Sequence, residues 1–161
     1  MRILIAIDGS PCSAKAVQQV AESGWPKGSE VKVLSVIEPI VIPIPEAVAM
    51  PESCYDVMCR EARKEVDRAA SLIRRSSPNL KLETAVSFGN AEEVILDEAE
   101  SWEANLIVVG SHGRGMAGRL MLGSVSHAVA LHAKCSVEIV RDRSANIPKA
   151  QSPDNRQSAF S

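Results

Sequence analysis

Short apolar runs rich in branched residues alternate with helical patterns along this chain, and that alternation narrows the folds open to it. Residues 2–7 (RILIAI), 30–36 (EVKVLSV), 80–87 (LKLETAVS), 105–109 (NLIVV) and 136–140 (SVEIV) read as strands. Helical spacing fills residues 13–23, with Ala14, Val17, Val20 and Ala21 on one face, and Pro11 suits the first turn. A long helix over 54–76 carries Val57, Met58, Ala62, Val66, Ala69 and Ile73 as one stripe, and shorter ones follow at 91–102 and 124–133. Strands that alternate with helices imply right-handed crossovers. The expected fold is therefore α/β: a three-layer α/β/α, open, five-stranded parallel sheet of Rossmann-like form. In such sheets a ligand sits beyond the carboxyl ends of the strands, where the strand order reverses.

Composition removes several function classes. The net charge is −2 and no block of Lys or Arg occurs, so neither nucleic acid nor an anionic membrane is an implied partner. Aromatics at 3% leave no stacking platform for single-stranded nucleic acid. The opening MRILIAIDGS passes straight into an Asp-Gly turn and is not read as a signal peptide. The apolar stretch 39–50 is cut by Pro43, Pro45 and Glu46, so no membrane span is expected and the cytoplasm is the expected location. Cys12, Cys54, Cys59 and Cys135 fit neither a redox pair nor a zinc site and are read as free thiols. Residues 37–53 read as a proline-rich loop of the length typical of binding lids. The polar segment 144–161 is expected to be a disordered tail, leaving 1–143 as one domain.

The chemistry concentrates between Gly110 and Ser126, in GSHGRGMAGRLMLGSVS. It follows the fourth strand and runs into the fourth helix. Glycines let a backbone approach a ligand closely, and a helix start offers unpaired N–H groups and a positive dipole end to an anion. Strand, glycine loop and helix start together suit phosphate. Two look-alikes fail. Gly113, Gly115 and Gly118 spell the dinucleotide fingerprint, with Glu138 twenty residues on, but the first glycine of that motif should directly follow the strand. No Gly-Lys-[Ser/Thr] exists for a Walker loop. His127 and His132 diverge on a helix and make no metal pair. His112 lies in the loop within reach of a ligand, yet no acid is spaced to orient it as a base.

Gly110, Gly113, Gly123 and Ser124 stand in a G-x2-G-x9-G-[S/T] pattern that resembles the ATP-binding signature of the universal stress protein family. Residues 8–16 (DGSPCSAKA), 33–39 (VLSVIEP) and 88–91 (FGNA) resemble other segments of that family in the same order, so the resemblance spans 1–141. It implies a strand order of 3-2-1-4-5, which brings Asp8 and Gly110 to one crevice. The site residues it implies are Ala6, Ile7 and Asp8 after the first strand and Val36 at the end of the second. Val109, Gly110 and Gly113 follow from the fourth, with Gly123, Ser124, Val125 and Ser126 at the helix start.

Asp8 has two readings, a turn or helix cap and a nucleotide ligand; the resemblance favours the second. Val36 is placed by resemblance alone. Ser10 and Ser13 resemble family positions, but Ser10 equally reads as a helix cap and neither is assigned to the site. The Ser124 and Ser126 hydroxyls, with Arg114 and Arg119, are candidate phosphate donors. The implied cofactor is ATP, with Mg²⁺ held mainly by phosphate oxygens and water. The implied role is a stress-response sensor or regulator that forms a homodimer through strand five and has at most weak ATP hydrolysis. Two other classes stay open: a slow ATPase or phosphotransferase on the same site, and an interaction protein without nucleotide. Asn105, His127, Ser136 and Glu138 depart from the family pattern, and Glu138 bears on strand-edge pairing.

Overall fold

A computed structural model describes residues 1–39, 52–113 and 122–142. Most of the expected loop over 37–53, Arg114, Arg119 and the expected tail lie outside the described residues. The element order is β1 (Arg2–Ile7), α1 (Pro11–Glu22), β2 (Glu30–Ile37), α2 (Glu52–Ser76), β3 (Lys81–Phe88), α3 (Ala91–Ser101), β4 (Leu106–Gly110), α4 (Ser124–His132) and β5 (Ser136–Val140). The strands form one parallel sheet in the order β3-β2-β1-β4-β5.

The period-two alternation of each strand sorts its side chains between two cores. Ile3, Ile5 and Ile7 of β1 join Val31 and Val33 of β2 under α1 and α2. Leu4, Leu34, Ile107 and Val109 point the other way, against Ile95 and Ala99 of α3 and Val129 of α4. Strands β1 and β4 are central and covered on both faces, which is why they read as unbroken apolar runs. Edge strand β3 is largely exposed or half-buried, as its mixed sequence anticipates.

Local signals set the helix starts. α1 begins at Pro11 rather than at residue 13, because Ser10 caps it: the Ser13 N–H donates to Ser10 Oγ at 3.2 Å. α3 starts after Gly89, at φ 141°, and Asn90, whose side chain accepts from the N–H groups of Glu92 at 2.9 Å and Glu93 at 3.2 Å. Lys32 of β2 fastens α3 to the sheet. Its ammonium reaches Glu98 at 2.8 Å and Glu83 at 3.2 Å and sits 4.7 Å from the centroid of the Trp102 ring. Burial alone would lower the Lys32 pKa, but the Glu98 and Glu83 carboxylates outweigh it and hold it raised.

One contact fixes how α1 meets the sheet. A Cβ on Gly110 would stand 2.8 Å from Ser13 N and 2.9 Å from Cys12 C and Cβ. Only glycine at the end of β4 lets the first turn of α1 lie that close. Gly110→Ala should therefore push α1 away and cost about 1–3 kcal/mol of stability, the usual range for overpacking. Urea or thermal unfolding reads this directly, and an unchanged midpoint would show that α1 is not pinned there.

Candidate functional site

The strand order reverses between β1 and β4: from β1 the sheet grows outward through β2 and β3, then resumes on the other side with β4 and β5. Ala6 pairs with Val109 across this switch point, and a cavity of about 270 Å³ opens beyond it. Every residue assigned to the site from the sequence lines that cavity. Its lining mixes two chemistries. Ala6, Val36, Val109 and Val125 are joined by Ala91 and Ile95 of α3 as apolar side chains. Asp8, Gly113 and the start of α4 add polar groups, with Ser13 and His112.

Asp8 follows β1 directly. Its Oδ1 accepts from the Ser10 N–H at 3.0 Å, an Asx turn that carries the chain into α1. The helix cap itself is Ser10, not Asp8. Asp8 thus shapes the turn and still lines the cavity, so its two sequence readings do not compete. Its Oδ2 lies 2.9 Å from where a Cβ on Gly113 would stand. A side chain there would collide with the carboxylate, and glycine lets the two strand ends approach.

Ser111, which the sequence did not single out, ties the glycine loop together. It is 1% exposed. Its N–H donates to Val140 O at 2.7 Å, while its carbonyl accepts from Gly123 N at 2.8 Å and from Ser126 Oγ at 3.1 Å. Its hydroxyl lies 3.0 Å from His112 Nδ1 and 3.6 Å from Cys12 Sγ. The His112 carbonyl accepts from Ser10 Oγ at 3.2 Å. One short segment is therefore bonded to β5, α4 and α1 at once.

α4 begins at an N-cap, Gly123, that supplies no side-chain hydrogen bond. The first N–H groups of a helix have no partner within it, so those of Ser124, Val125 and Ser126 remain for a ligand. The Ser126 hydroxyl is already turned onto the Ser111 and Gly123 carbonyls, at 3.1 Å and 3.0 Å. What Ser126 offers the cavity is its backbone. A Cβ on Gly123 would meet its neighbours, His112 Cα among them, at 3.5 Å or more, which is ordinary contact. Gly123 is thus not required by packing, unlike Gly110 and Gly113.

Sequence reasoning left Ser13, Ala91, Ile95 and His112 out of the site. Ala91 and Ile95 sit on the core-facing side of a helix and carry no chemical signal. Ser13 resembled a family position but had no spacing of its own, and His112 had been noted only as within reach. For a metal, no group of three or more His, Cys, Asp or Glu side chains comes together among the described residues.

Residues 1–141 match the model of the universal stress protein family. A universal stress protein of Bacillus subtilis is 33% identical over 147 residues, which cover 87% of this chain and 98% of that protein. A solved universal stress protein from Lactobacillus plantarum superposes with a TM-score of 0.71 at 25% identity, over 88% of this chain and 97% of that one. A family member from Arabidopsis thaliana, solved with AMP bound, shares the fold at 17% identity and a TM-score of 0.58, over 93% of this chain and 97% of that one. With the strand order, the glycine spacing and these likenesses in agreement, the chain belongs to the universal stress protein family.

Proposed function

We propose that this protein binds ATP in the β1–β4 crevice and acts as a nucleotide-dependent regulator of a cytoplasmic stress response. The carrying observation is the cavity itself, which apolar side chains and the uncapped start of α4 line together. The apolar side chains suit a flat base, and the helix start suits phosphate. The AMP bound to the Arabidopsis relative supports the adenine part of this reading. The described lining includes Asp8 and His112 but no lysine, which favours holding a nucleotide over transferring its phosphate. A divalent ion fits only as a companion of the phosphates, with Asp8 the one carboxylate on the described lining.

The proposal extends to assembly. β5 is one of the two edges of the sheet, bordered by an open trough of about 540 Å³ that Lys15, Gln19 and Arg141 help to line. Glu138 does not project into the face shared by Val137 and Ile139, which pack toward α3 and α4. It lies on the α1 side, accepting from Gln19 Nε2 at 2.7 Å. Pairing of two β5 edges around a two-fold would satisfy both backbones.

Mass spectrometry of the denatured, freshly purified protein should reveal co-purified adenine nucleotide. A protein that carries none and takes up none in calorimetry would end the reading. Asp8→Ala should weaken ATP by roughly 1.5–3 kcal/mol, about ten- to a hundredfold, the worth of a charge-assisted hydrogen bond. Equal affinity with a lower melting temperature would leave Asp8 a turn residue only. Gly123→Val should abolish ATP binding, since a branched side chain at the start of α4 would block the close approach of backbone and phosphate, and calorimetry that finds the parent affinity would refute the phosphate assignment. Ile139→Asp should shift a dimer to monomer in sedimentation, and a parent chain already monomeric at micromolar concentration would refute the pairing.

A further inference from the structure

The side chain of His112 is held on one side and unanswered on the other. Its backbone is fixed by Ser10 Oγ at 3.2 Å, and its Nδ1 lies 3.0 Å from Ser111 Oγ. Its Nε2 is closed to solvent and has no hydrogen-bond partner, the single such buried side-chain atom found among the described residues. Buried polar groups in native proteins are almost always paired, and an orphan costs stability unless something else requires it. Here the orphan belongs to a residue that lines the ligand cavity, with its Cα 3.5 Å from where a Cβ on Gly123 would stand.

Ser111 Oγ lies 3.0 Å from His112 Nδ1 and 3.6 Å from Cys12 Sγ. With the hydroxyl proton donated to Nδ1, the ring carries its own on Nε2; with it donated to Cys12 Sγ, the hydroxyl accepts from Nδ1–H and Nε2 keeps a lone pair. An anion at Nε2 selects the first arrangement, because the second would set a lone pair against it.

We infer that His112 Nε2–H binds a phosphoryl oxygen of the nucleotide, and that it is a side chain by which the site separates nucleotides from nucleosides. The inference rests on the nucleotide reading above and goes beyond it, because it adds a ring nitrogen to the N–H groups and the Ser124 hydroxyl at the helix start. Nε2 is closed to solvent in the ligand-free chain, so it meets a phosphoryl oxygen only where the ligand takes the place of the atoms that cover it. Ser111 is the positioning residue: it does not line the cavity, and its hydroxyl answers Nδ1 in the form that carries the proton on Nε2.

Calorimetry with adenosine and with ATP, on the parent chain and on His112→Ala and His112→Gln, tests this. The alanine variant should lose about tenfold in affinity for ATP, the scale of one hydrogen bond, and keep its affinity for adenosine. Glutamine, whose amide can reach the Nε2 position, should restore part of the loss. In the parent chain, ¹⁵N-edited NMR should show the Nε2–H resonance shift with ATP and not with adenosine, a readout that needs no variant to fold. An equal loss for both ligands, or an ATP affinity that does not change, overturns the inference. A parent chain that binds neither ligand removes the nucleotide reading and this inference with it; one that binds adenosine but not ATP removes the inference alone.

Discussion

The residue just past β4 holds the site in shape. Ser111 donates its N–H to Val140 of β5 and accepts from Gly123 at the start of α4, and its hydroxyl stands beside Cys12 of α1 and the ring of His112. Because it is 1% exposed, water does not compete for these bonds. A loop of glycines has little conformational preference of its own. Its path past the strand end is set instead by this buried serine.

The approach of α1 makes that network possible. With a Cβ on Gly110 ruled out by Ser13 N at 2.8 Å, the first turn of α1 sits directly on the end of β4. Ser10 can then serve two elements with one hydroxyl, accepting from Ser13 N and donating to the His112 carbonyl, each at 3.2 Å. The Asp8 turn feeds that same cap through its bond to Ser10 N at 3.0 Å. Packing between one helix and one strand thus converts two separate loops into a single wall of the cavity.

Much of the fold was legible because its signals are periodic. β1 and β4 are buried on both faces and read as continuous apolar runs; β3 lies on an edge and reads as mixed. The strand order was not legible from periodicity, since burial on two faces does not say which neighbour supplies the backbone bonds. It came from the resemblance, and the sheet has that order. The glycine spacing located the cavity because close approach leaves a mark that only one residue type makes. Two of those glycines are nevertheless required by protein neighbours rather than by a ligand, Gly110 by α1 and Gly113 by Asp8. Ser111 and His112 stayed silent as structural parts because a serine or histidine in a loop has no period to betray its partners. The start of α1 was read two residues late for a similar reason: the cap at Ser10 sets it, not the apolar stripe.

The chain as a whole is slightly acidic, at −2, and the described wall of the cavity contains no lysine or arginine. Among the described residues, an anion held there would rest on the N–H groups at the start of α4, the Ser124 hydroxyl and the His112 ring rather than on a lysine or arginine. Such donors are individually weak, a helix end amounting to roughly half an elementary charge, and they act together only if they are already aligned when the ligand arrives. Alignment is what the surrounding bonds supply. α4 is fixed at its first turn by Ser126 Oγ on the Ser111 carbonyl and in its middle by the fully buried Val129. The histidine is fixed by Ser10 and Ser111. A site built this way would give up the reach of a charged side chain and depend on rigidity instead, so Ser111, which does not line the cavity, and Gly110, which seats α1, are as much a part of it as the groups that would meet a ligand.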